Sequence, residues 1–143
     1  MGKSRDFSND FLKLFFNGGA IANLAQNTGT SPLTDLWFSL HSADPGATGN
    51  QTTNEVSYTS YVRAAVARTS AAFVVSANTV RLAANLDFAA STGGAAVSAT
   101  FFSVGKGSSG ATQILYSGTL TPGISISSGT TPRINLGQII TED

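Results

Sequence analysis

The chain has 143 residues, eight Lys+Arg against eight Asp+Glu, one histidine and no cysteine, and only 11% of it is charged, against roughly a quarter in an ordinary soluble domain. The absence of cysteine excludes a disulfide framework, thiolate metal ligation and a cysteine nucleophile, and a single histidine excludes a multi-histidine metal centre. Zero net charge lacks the basic footprint of a nucleic-acid binder, and no apolar run is long enough to span a membrane.

Residues 7–17 carry a helical period, with Phe7, Phe11, Leu14 and Phe15 at i, i+4, i+7 and i+8. Ser8 or Asn9 is placed to cap this helix and Gly18-Gly19 to stop it. Asp6, Asn9, Asp10 and Lys13 interrupt any signal-peptide core, so a soluble, unprocessed chain is expected. The Phe-rich face is expected either to pack on the domain core or to dock on a neighbouring subunit. A second helical turn is expected over residues 20–26 and a loop over 27–32, which completes an N-terminal helical arm of residues 1–30.

Residues 31–143 read as one mainly-β domain, a β-sandwich or jelly roll of about eight short strands. The first strand, residues 36–41, places Leu36, Phe38 and Leu40 on one face and Trp37, Ser39 and His41 on the other. Further strands are expected over 61–67, 73–75, 79–82, 86–88, 97–104, 113–119, 124–126 and 134–140. Residues 42–61 break the rhythm. So long a polar stretch is either a loop hydrogen-bonded to itself or one that reaches another subunit.

Several local patterns resemble catalytic motifs without their context. Gly105-Lys106-Gly107-Ser108-Ser109-Gly110 has the dinucleotide spacing, but Ala111 to Tyr116 reads as a strand where a phosphate-binding helix is required. Ser103 and Lys106 match S-x-x-K without its companion motifs. Asp44 fits an Asx turn, Asp87 calls for solvent or an arginine, and Glu55 has capping-box spacing from Thr52. His41 fits a strand-end histidine bonded to a backbone carbonyl. Arg63, Arg68 and Arg81 are expected to pair with carboxylates or to bridge subunits. No enzyme activity, cofactor, metal or small-molecule substrate is expected.

The run Leu40-His41-Ser42-Ala43-Asp44-Pro45-Gly46, then Gly49 to Glu55, Tyr58-Thr59-Ser60-Tyr61 and Arg63 resembles a family of small tailed-bacteriophage virion proteins. Members carry LHTADPG, then QTTNE and YTGYAR. The similarity continues through Arg68, Leu86-Asp87-Phe88 and Leu115 to Leu120, with Ser42, Ser60 and Val62 standing where Thr, Gly and Ala are usual. The resemblance implies a capsid cement or decoration protein on the capsid exterior, with a tail-fibre receptor-binding module as the alternative. It implies as partners the phage major capsid protein and further copies of the chain, as homodimer or homotrimer, with no nucleic acid and no membrane. The candidate interface residues are Phe7, Phe11, Phe15, Asp44, Asn50, Glu55, Tyr58 and Tyr61.

Overall fold

The computed structural model describes residues 4–21 and 32–142. The expected helical turn at 20–26 and the loop at 27–32 therefore fall largely outside the described residues. The fold is mainly β, of the sandwich class, with antiparallel sheets and one N-terminal helix.

The helix α1 spans Arg5–Phe16 and starts earlier than the capping pattern predicts. Ser4, not Ser8 or Asn9, is the N-cap, and its Oγ accepts the Phe7 amide at 3.2 Å. Asp6 in the first turn and Lys13 in the last suit the helix dipole. Gly18, at φ +64°, ends the helix as expected.

The buried face of α1 is also shifted. Ser8, Leu12 and Phe16 are buried, whereas Phe7 is 38% exposed. Phe7, Phe11 and Phe15 form an adjacent ladder, with ring centroids 6.3 and 4.8 Å apart. One residue along a helix is about 100° of rotation, so two apolar stripes lie side by side. Packing chose the narrower one, because Phe16 meets Phe73 edge-on with ring centroids 5.0 Å apart.

Among the described residues nine strands follow: β1 Asp35–His41, β2 Ala64–Ala67, β3 Phe73–Ser76, β4 Thr79–Leu82, β5 Leu86–Asp87, β6 Val97–Gly105, β7 Ile114–Ile126, β8 Arg133–Ile134 and β9 Ile139–Thr141. They form sheets ordered β2-β1-β6-β7, β3-β4-β9 and β5-β8. The chain divides into two compact units. The first holds α1 with the β3-β4-β9 sheet, and the second holds residues 36–66 and 85–134.

In the first unit, Ser76 pairs with Thr79 across a two-residue turn whose Ala77 has φ +53°. The Arg68 guanidinium donates to the carbonyls of Phe15 (2.6 Å), Leu14 (2.9 Å) and Leu33 (2.7 Å). These bonds hold the last turn of α1, where carbonyls lack intrahelical partners.

In the second unit, β1 and β6 pair from Trp37↔Gly105 to His41↔Phe101, and Phe38 stacks on Phe102 at 6.2 Å. The expected strands at 113–119 and 124–126 are one strand, β7, because both ends pair with β6. The expected strand at 134–140 is two, β8 and β9, split by a turn in which the Gln138 amide donates to the Asn135 carbonyl. The strand expected from Tyr61 begins only at Ala64, since Tyr58 to Tyr61 is a turn with Ser60 at φ +80°.

Candidate functional site

Ser39 and His41, on the polar face of β1, are fully buried. The cover is the 42–61 segment, which returns along the sheet: the Ser42 amide donates to the Asn54 carbonyl and the Val56 amide to the Leu40 carbonyl. Gln51, also fully buried, is saturated. Its Nε2 donates to the Trp37 carbonyl (3.0 Å) and Ser39 Oγ (2.8 Å), and its Oε1 accepts from the Gly107 amide (3.2 Å) and Thr112 Oγ1 (2.6 Å).

Arg63 anchors the other end. Its Nε and Nη2 donate to the Glu55 carboxylate at 2.8 Å each, a bidentate pair. Its remaining N–H groups reach the carbonyls of Gly107 (3.0 Å) and Gly110 (2.9 Å) and Thr112 Oγ1 (3.2 Å). The glycine-rich sequence at 105–110 is thus the β6–β7 connection, as expected, and its carbonyls cradle a guanidinium of the same chain. A Cβ on Gly105 would stand 2.1 Å from Gln51 Cδ, so only glycine allows the packing. Glu55, expected as a helical cap, is an ion-pair partner; no helix forms there. Hydrogen bonding to Glu55 is the main cause that raises the Arg63 pKa.

His41 Nδ1 donates to the Thr53 carbonyl at 2.8 Å, which leaves Nε2 to accept from Ser103 Oγ at 2.8 Å. The expected backbone carbonyl is present. The Ser–His contact has the outline of a nucleophile and its base, yet the third member is a carbonyl and neither side chain has exposed surface. Burial pushes the His41 pKa below its ordinary 6.5 despite the opposing Thr53 bond, which keeps the ring neutral. The Tyr61 hydroxyl accepts from the Leu40 amide at 3.1 Å and donates to Glu55 Oε1 at 2.9 Å, and burial drives its pKa upward.

Of the candidate interface residues, Glu55, Tyr58 and Tyr61 turn inward. Tyr58 donates to the Ala89 carbonyl at 2.8 Å and meets Tyr61 edge-on. Asn50 Oδ1 accepts from the Thr52 amide (2.9 Å) and hydroxyl (2.6 Å). Asp44 is exposed, and its Oδ1 accepts the Gly46 amide at 2.9 Å in the expected Asx turn. In the first unit, Phe7 is exposed and Phe11 and Phe15 are half-buried. Asp87 finds the arginine it called for, a bidentate pair with Arg133 at 2.5 and 2.8 Å.

Arg63 meets a carboxylate as expected, whereas Gln51, Ser103 and Thr112 were not expected as site residues. The available signal was the polar stretch 47–53, which contains Gln51 and has no apolar anchor of its own. A cleft of about 320 Å³ within the second unit lies between residues 44–49 and Ile114, Leu115 and Ser117 of β7. Among the described residues no cluster of three His, Asp or Glu could hold a metal, and no helix is long and apolar enough to cross a membrane.

In this mainly-β fold the buried polar groups of the second unit bond to one another and to main chain. The family model described as Podophage GP4 fiber I protein gp80 matches residues 8–142. The chain belongs to that family, and it is a structural protein of the podophage virion. Among curated proteins no match is found.

Proposed function

We propose that the chain is a fibre subunit of a podophage, attached to the virion through apolar surface of α1. The observation that carries this is the match of residues 8–142 to a family described as a fibre protein. The structure supplies suitable parts. The Phe7–Phe11–Phe15 ladder is partly open to solvent, and burial against a neighbouring copy would stabilise by about 25 cal/mol per Å². The 42–61 segment is rigidly braced from below, as a recognition loop must be to keep its shape.

A second reading, a cement protein that bridges major capsid subunits on the capsid exterior, is favoured by one observation. The sequence has none of the heptads, collagen-like triplets or β-helical repeats that build long fibres. Virion reconstruction or immunogold labelling separates the two. The fibre reading expects density at the tail and a few tens of copies at most on a gel of purified virions. Hundreds of copies spread over the head would overturn it in favour of cement.

A further inference from the structure

The order β2-β1-β6-β7 places β7 as the outer strand among the described residues, with β6 as its neighbour on one edge. An outer edge is normally covered or blunted. Here the cover is partial. The 42–61 segment starts to pair on that edge, with an Asn50↔Gln113 bridge and a 2.9 Å bond from the Gln51 amide to the Thr112 carbonyl. Residues 44–49 then veer away. The Asp44 Asx turn and Gly46 at φ +72° make that departure, and a Cβ on Gly49 would stand 2.0 Å from the Pro45 carbonyl oxygen. The gap they leave is the cleft of about 320 Å³, with Ile114, Leu115 and Ser117 as its far wall.

We infer that this cleft binds a neutral saccharide. Its volume lies at the small end of ligand sites. Its polar groups are the outer strand edge, which offers both N–H and C=O, the Ser117 hydroxyl, and the Asp44 carboxylate, whose Oδ2 has no partner among the described residues. Sugar hydroxyls both donate and accept, so they match such a mixed set. Ala47, Ile114 and Leu115 provide apolar surface for the C–H face of a ring. Among the described residues that line the cleft Asp44 is the charged one, which selects against phosphorylated or acidic sugars. An added peptide strand needs a longer run of edge, and the Asn50↔Gln113 bridge closes this one at its start.

This assignment rests on the fibre reading only for its biological setting, and its test is separate. The full chain, labelled with nitrogen-15, is titrated with D-galactose, L-rhamnose and N-acetylglucosamine, with D-glucuronate as the anionic control. The expected result is amide shifts confined to Gly46, Ala47, Gly49, Leu115 and Ser117, with millimolar affinity for at least one neutral sugar. Asp44→Asn, which keeps the acceptor for the Gly46 amide, weakens binding about tenfold, the size of one charge-assisted hydrogen bond. Ala47→Trp fills the cleft and abolishes binding while the remaining spectrum stays native. No shift with any neutral sugar, shifts located elsewhere, or equal binding of glucuronate overturns the assignment. A protein found at the tail that binds no sugar refutes the cleft alone, and a sugar-binding protein found across the head refutes the fibre reading alone.

Discussion

Arg63 donates five hydrogen bonds, two to Glu55 and three to the β6–β7 connection and Thr112, while almost none of its surface reaches water. Removal of one member of such a pair leaves the other charged and buried, which costs about 3–5 kcal/mol. Arg63→Ala is expected to lower stability by that amount in urea denaturation. Arg63→Lys should recover little of it, because an ammonium cannot span a carboxylate and two carbonyls at once. His41 gives a pH dependence of known sign. Its folded pKa lies below its ordinary 6.5, so the unfolded chain binds the proton more readily. The stability due to neutral His41 is fully present above about pH 6.5 and is lost as pH falls from there toward the folded pKa. The thermal midpoint should therefore fall below that pH, and His41→Gln should flatten this part of the profile. Ala77 offers the opposite sign. At φ +53° a Cβ is strained, and Ala77→Gly is expected to stabilise by about 1 kcal/mol in the same urea assay.

The helix presents two stripes with different duties. Phe16 is fully buried against Phe73, and Phe16→Ala should cost about 3–5 kcal/mol. Phe7 and Phe11 lie on the outer ladder. Phe7→Ala combined with Phe11→Ala should cost about 1 kcal/mol at most, yet remove the chain from virions assembled by complementation. Unchanged incorporation would mean that the ladder is not an attachment surface. The helical period itself is plain in residues 7–16, but two stripes one residue apart satisfy it equally. The choice between them belongs to β3 and β4, which the period cannot see.

For the molecule as a whole, the shortage of charge has a consequence for assembly. Among the described residues, Glu55 and Asp87 are ion-paired inside the chain, with Arg63 and Arg133. The contacts between copies that the proposed fibre requires would then rest on apolar burial and hydrogen bonds, which salt screens weakly. Sedimentation equilibrium is expected to give an association constant that changes less than about threefold between roughly 0.05 and 0.5 M NaCl. A steep fall with salt would point to an ionic interface instead.

The sequence by itself determined the mainly-β class, the N-terminal helix and most strand positions, because alternation and helical period are local properties of the chain. It also marked Gly105-Lys106-Gly107 as a turn rather than a phosphate loop, and Asp44 as an Asx turn. Only the tertiary structure decided which face of α1 is core, that residues 124–126 continue β7, and that residues 139–141 join the β3-β4 sheet while residues 133–134 pair with β5. The polar core of Ser39, His41, Gln51, Glu55, Arg63 and Ser103 was legible only in part: a carbonyl for His41 and a carboxylate for Arg63 were expected, but the way Gln51, Ser39 and Ser103 join them was not, for a physical reason. Each member is unfavourable to bury alone, and burial becomes tolerable only once partners distant in sequence arrive together.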